Sequence, residues 1–161
     1  MSSLPSPREK LAGCMWLPRI AAKARQLQNG QLPSEYADRF CHPTGVDSLF
    51  LKFFEIDRAT IMSASRLSDP EIAAWFRTLP VTTPGRIGDW NQLAHNLGRP
   101  GFPLAERFPI ALATSYKHLN PDTITSVFEA IEADERTSPC AYVRRPFGKA
   151  LYQRHSVEIA V

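Results

Sequence analysis

Arg19 and Lys23 stand four residues apart, and Gln26 follows three further on, so a helix would carry all three on one face with Trp16 just before them. Two cations so close repel each other unless an anion or a carboxylate lies between them. One reading is therefore an anion site, with the Arg19 guanidinium gripping two oxygens of a phosphate or carboxylate and Lys23 adding a point charge. The other reading is a solvated helix face, or internal pairing with an acid such as Asp38. A second constellation follows in an irregular, Pro- and Gly-bearing stretch: Tyr36, Asp38, Cys41 and His42. A cysteine acts as a nucleophile when a cation or histidine stabilises its thiolate. Neighbours on an extended chain point opposite ways, so His95, His118 or His155, rather than His42, would have to approach Cys41. Otherwise Cys41 is a small buried apolar residue.

Trp90-Asn91 falls at the centre of a predicted helix and could line a pocket together with Trp16. The same tryptophans, with Phe50, Phe53, Phe54, Trp75, Phe76 and Phe128, also fit as core, because helical spacing turns them inward. The expected site thus has Tyr36, Asp38 and Cys41 as the reactive groups and Trp16, Arg19, Lys23, Trp90 and Asn91 as ligand-binding groups. No metal is expected, since no CxxC, HxxxH or HExxH spacing occurs. No cofactor is implied either: there is no GxGxxG after a strand and no GxxxxGK[ST].

These groups need elements to hold them, and the sequence is dense in helix signals. Ser6-Pro7-Arg8-Glu9 reads as a capping box with Pro at the first helical position. The helix it opens would point Leu11, Met15, Ile20, Ala24 and Leu27 at the core, bend at Pro18 and stop at Asn29-Gly30. Val46, Leu49, Phe50 and Phe53 repeat at i, i+3, i+4, i+7, as do Ile72, Trp75, Phe76 and Leu79 after Asp69-Pro70-Glu71. Asp57 is expected to cap a short helix, Thr83-Pro84 to open one ending near Gly98, and Asn120-Pro121-Asp122 to open one through Ile131. Pro109 breaks the segment from Leu104 to His118. Beyond Thr137, Ala141–Val143 and Val157–Val161 look extended, as a strand pair or an arm on a second copy, and nothing else resembles a strand.

With 161 residues, 43% apolar and 22% charged, the chain has the size and composition of one domain with its own core. Three widely spaced cysteines make no disulfide framework, no apolar run could span a bilayer, and no signal-peptide core opens the chain, so a cytoplasmic location is expected. Residues 1–40 hold six basic and three acidic side chains, residues 41–136 nine and twelve, and residues 137–161 four and one. Without a dense Lys/Arg run, the basic ends suit packing on the acidic middle better than nucleic acid.

Ser6-Pro7-Arg8-Glu9-Lys10-Leu11, Trp16-Leu17-Pro18-Arg19 and Lys23-Ala24-Arg25, followed by Gly30, Tyr36, Cys41, Asp47 to Phe54, Ile56-Asp57 and Asp69 to Trp75, resemble a bacterial family, domain of unknown function family 5069. The resemblance covers residues 5–97, with Trp90-Asn91 at its end. It implies a compact helical fold and no particular activity. Where the family has an acid before the lysine, this chain has Ala22.

The expectation is an all-α orthogonal bundle of about six or seven helices in a single domain over residues 1–161, with 137–161 as tail or arm. Its expected function is binding, with or without turnover, of a small anionic molecule between the first helix and the 31–45 loop. The alternative is a non-catalytic interaction module that docks a partner, or a second copy as a homodimer, through the basic tail. Neither membrane nor nucleic acid is an expected partner.

Overall fold

The computed structural model describes residues 3–137, and within them the protein is helical apart from one small hairpin. The described chain divides into two compact units, one ending at Leu97 and the other beginning at Gly98. The extended pieces expected at 141–143 and 157–161, Cys140, His155 and the basic tail lie outside the described residues.

The first unit opens with a correction. Ser6 to Glu9 form a turn, not a helix start: the Ser6 carbonyl accepts from Glu9 N at 3.0 Å and its hydroxyl from Arg8 N at 3.2 Å. The chain then makes an antiparallel hairpin, β1 (Lys10–Leu11) and β2 (Cys14–Met15), in the register Lys10↔Met15 and Leu11↔Cys14. Ala12 and Gly13 connect the strands at φ of 52° and 75°. Two consecutive positive φ values make the tight turn whose twist matches a hairpin, and glycine at the second position makes it accessible. The hairpin takes the place of the first part of the long helix expected from Ser6, and α1 runs instead over Leu17–Gln28. Pro18 lies in its first turn and so bends nothing, because the amide that proline lacks would have no acceptor there. Pro109 is the parallel case, opening a helix in the second unit.

α2 is a single turn, Ser34–Ala37, and α3 covers Val46–Phe53. α4 (Arg58–Ala64) starts where expected, with Asp57 accepting from Thr60 N at 2.7 Å. α5 (Asp69–Thr78) has Ser68 as its N-cap in a capping box with Glu71, and α6 covers Pro84–His95 behind Thr83. The i, i+3, i+4, i+7 faces converge as their spacing requires: Phe50, Phe54, Ile61, Ile72, Phe76 and Trp90 are all fully buried, with Leu17 and Ile20 of α1.

In the second unit α7 covers Phe108–Thr114 and α8 Val127–Thr137. The expected helix start at Asn120 is a turn, in which the Asn120 side chain accepts from Asp122 N at 2.9 Å. α8 begins later because Ser126 and Glu129 cap it reciprocally, Ser126 Oγ accepting from Glu129 N and Glu129 Oε2 from Ser126 N. Gly98, at φ 87°, packs so tightly that a Cβ there would meet Phe108 at 2.9 Å and Val127 at 3.0 Å. Gly98→Ala is expected to cost about 2–4 kcal/mol, from left-handed strain and overpacking together. Loss of amide-exchange protection confined to α7 and α8 would show it.

Candidate functional site

Arg19 and Lys23 both point inward, 1% and 6% exposed, and share the face of Trp16. The Arg19 guanidinium carbon lies 5.5 Å and Lys23 Nζ 4.9 Å from the indole centroid. Trp16 itself is at φ 72°, a left-handed conformation unusual for so bulky a residue, at the junction of β2 and α1. That conformation aims its ring beneath α1 and its N–H at α3. The Arg19 guanidinium donates to the Pro5 carbonyl at 2.7 Å and so holds the N-terminal segment against α1.

The acid that reconciles these cations is Asp47, in the first turn of α3. Lys23 Nζ donates to both of its oxygens at 2.6 Å, Trp16 Nε1 to Oδ1 at 2.9 Å, and the Cys41 amide to Oδ2 at 3.3 Å. The Lys23 and Asp47 side chains are 8% and 3% exposed. Such a pair is tolerable because every acceptor position of the carboxylate is used. Burial pulls the Lys23 pKa below its ordinary value, Asp47 opposes that shift, and Arg19 adds to it.

Cys41 is brought to this cluster by its backbone. Its φ of 58° turns the amide toward Asp47, and Ser48 Oγ donates to its carbonyl at 2.8 Å. The thiol is pushed up to about 11, first by burial and then by the Asp47 carboxylate, with Arg58 and Lys23 pulling the other way. At neutral pH it is a thiol, not the thiolate that nucleophilic chemistry needs. The neighbouring His42 has its Nδ1 3.0 Å from Thr44 Oγ1. His95 is engaged by Arg8, and His118 pairs with Asp134 at 2.9 Å within the second unit. Cys14 is buried, and burial raises its thiol as well.

The raised Cys41 pKa has a linkage consequence. The native state holds the proton more tightly than the unfolded chain, whose thiol titrates near 9.0. Cys41 therefore contributes stability below pH 9, and the contribution is lost as pH rises toward 11. Alkylation of Cys41 by iodoacetamide, followed by peptide mass spectrometry, is expected to be slower than that of a free thiol at pH 8. Its rate should climb without a plateau up to about pH 11.

Of the other expected site residues, Tyr36 is half-buried on α2 and Asp38 is exposed at the end of that turn. Asp38 is not the acid that pairs with Lys23. Trp90 and Asn91 hold the hairpin: Trp90 Nε1 donates to the Met15 carbonyl at 2.9 Å, and the Asn91 amide accepts from Met15 N at 2.9 Å and donates to the Gly13 carbonyl at 2.8 Å. They position Trp16 through the adjoining residue, and Trp90 is wholly buried. The structure thus gathers Trp16, Lys23 and Cys41 around Asp47, with Arg19 on the face of Trp16. In the sequence Asp47 stands out only as the start of the Asp47 to Phe54 stretch that carries the family resemblance. An acid in a first helical turn is common enough that nothing local marks this one as the partner of a lysine 24 positions earlier.

On the solvent side of Cys41 a shallow, open cleft of about 380 Å³ lies between the C-terminal end of α3 and the start of α4. Ser48, Leu51, Lys52, Glu55, Ile56, Asp57 and Arg58 complete its lining. Arg58 lies with its guanidinium carbon 5.6 Å from the Phe40 ring centroid. Among the described residues no three His, Cys, Asp or Glu side chains converge in the manner of a metal site. No helix there is long and apolar enough to cross a membrane.

Residues 2–137 match the family described as Domain of unknown function (DUF5069). The chain belongs to this family. The match runs past the stretch whose motifs carry the resemblance and takes in both units of the fold. No curated protein and no solved structure shows a significant match to the chain.

Proposed function

We propose that this protein binds a small molecule bearing an anionic group, a carboxylate or a phosphate, in the cleft beside Cys41. The observation that carries this reading is the cleft itself, which shares Cys41 with the buried Trp16–Lys23–Asp47 cluster. The apolar Leu51 and Ile56 form its floor, and Lys52 and Arg58 supply cationic groups. No ion pair ties Lys52 or Arg58 to a carboxylate among the described residues. The Asp57 carboxylate, also in the lining, is spent on capping α4. Convergence of a few polar groups on an apolar concavity is the usual form of a small-molecule site. In this reading Arg58 takes the anion in a forked contact. Lys23 braces the Cys41 wall from behind through Asp47, and neither it nor the buried Arg19, which holds the Pro5 carbonyl, grips the ligand. In this reading Cys41, whose thiol burial pushes up to about 11, lines the site and is assigned no nucleophilic role.

Thermal melting with acetate, succinate and inorganic phosphate tests the reading, since a ligand of the native state alone must raise the melting temperature. At least one of the three is expected to do so in the parent chain and in Arg77→Ala, an exposed control on α5, and to have no effect on Arg58→Ala. Equal shifts in all three proteins, or none in any, would overturn it.

A further inference from the structure

We propose that the ligand of the Cys41 cleft is a zwitterion, an amino acid or a close relative with an apolar side chain, whose ammonium group is received by Glu55. The inference rests on the binding reading above and narrows it to a substrate class.

It begins with how α3 ends. Ile56 N donates to the Leu51 carbonyl at 2.9 Å and Glu55 N to the Lys52 carbonyl at 3.3 Å. These 6→1 and 5→2 bonds are the Schellman pattern, with Glu55 at the left-handed position (φ 54°) that glycine ordinarily fills. α1 closes in the same way: Gln31 N donates to the Gln26 carbonyl and Gly30 N to the Leu27 carbonyl, with Gly30 at φ 66°. One chain therefore solves the same backbone problem twice, with glycine at α1 and with a carboxylate at α3. A side chain at a left-handed position is disfavoured relative to glycine, which singles out the Glu55 carboxylate as a candidate for a role of its own.

The location says what that role is. A Schellman ending brings its third-last residue against the one after the left-handed position. Here that pair is Leu51 and Ile56, 6% and 7% exposed, the apolar part of the cleft. Glu55 and Arg58 stand on either side of Ile56 in the chain and both line the cleft, yet no ion pair joins them. Of the two acids in the lining, Asp57 accepts from Thr60 N, which leaves Glu55 to face an incoming ligand. An apolar floor with an uncommitted carboxylate and an uncommitted guanidinium at its rim complements a molecule that carries ammonium, carboxylate and a small apolar body.

Titration calorimetry on the full chain with alanine, valine, leucine and methionine, each beside its N-acetyl derivative, isolates the ammonium group. At least one free amino acid is expected to bind about tenfold or more tighter than its acetylated form. Glu55→Gln should bring the two within about twofold, leaving the acetylated form's affinity unchanged. Glu55→Gly should do the same with a melting temperature equal to or above that of the parent, because the left-handed strain is relieved. Equal affinity of free and acetylated forms in the parent, or a preference that survives Glu55→Gln, would overturn the zwitterion and leave the anion site standing. No binding by any probe, with no effect of acetate, succinate or phosphate on melting, would overturn both.

Discussion

Asp47→Ala is expected to unfold at a free energy about 3–5 kcal/mol below the parent chain in urea titrations, the largest loss of any single charged residue here. The substitution leaves Lys23 buried with no counter-charge, strips the Trp16 indole N–H and the Cys41 amide of their acceptor, and frees the 38–45 loop from α1. Three groups lose one partner at once, so the effect exceeds that of an exposed pair such as Arg25–Asp69, whose side chains are 39% and 60% exposed. The charge component has a signature of its own. Burial already holds the Lys23 pKa below 10.5 in the native state. A lysine whose folded pKa is lowered binds fewer protons folded than unfolded, so stability rises with pH through the window below 10.5. Without Asp47 that window widens, and the deficit of Asp47→Ala should shrink as pH is raised from 7 toward 10. Replacing both partners by apolar residues, Lys23→Met with Asp47→Leu, should recover most of the loss. A deficit independent of pH, or a double variant no better than the single one, would show that the pair is held by something other than its charge.

Trp90→Ala is expected to lose a further large amount, about 3–5 kcal/mol, through a different cause. The indole is fully buried among Phe50, Phe53 and Phe54, with ring centroids at 5.3, 5.4 and 6.0 Å, and its N–H is bonded to the Met15 carbonyl. Truncation opens a cavity in the aromatic core and releases the hairpin that feeds Trp16 into the cluster. Trp90→Phe keeps one aromatic ring and removes the donor and part of the volume, so it should cost less, about 1–2 kcal/mol. Paired urea titrations separate the two contributions. Similar losses for Ala and Phe would mean that the hydrogen bond, not the packing, dominates.

Both predictions depend on contacts across long stretches of chain, and that is where sequence reasoning thinned out. Helix periodicity and caps act over three or four residues, so the faces of α3 and α5, the Asp57 cap and the Thr83-Pro84 start were legible in advance. The prolines misled because the same residue ends a helix from within and begins one at its first turn. By sequence Pro18 and Pro109 look like interruptions, and in the fold they open helices. The hairpin at Lys10–Met15 escaped notice because two-residue strands carry no alternation, and Ala12-Gly13 is a weaker turn signal than Asn-Gly. The basic face of α1 is visible in the sequence, which leaves open whether it turns inward or to solvent. Its partner is not visible, since Asp38 and Asp47 are equally plausible acids until the fold chooses between them.

Composition, period and capping residues therefore suffice for a helical chain and for a first helix with two cations on one side, while the family shows in motifs such as Trp16-Leu17-Pro18-Arg19. The choice of Asp47 as counter-ion, the assignment of Trp90 and Asn91 to the hairpin, and the cleft between α3 and α4 came only with the assembled chain. The reason is the range of the forces involved. Backbone hydrogen bonds and side-chain spacing within a helix are settled among near neighbours, whereas desolvating Lys23 and Asp47 together requires two helices to close on each other, and no short window of residues records that event.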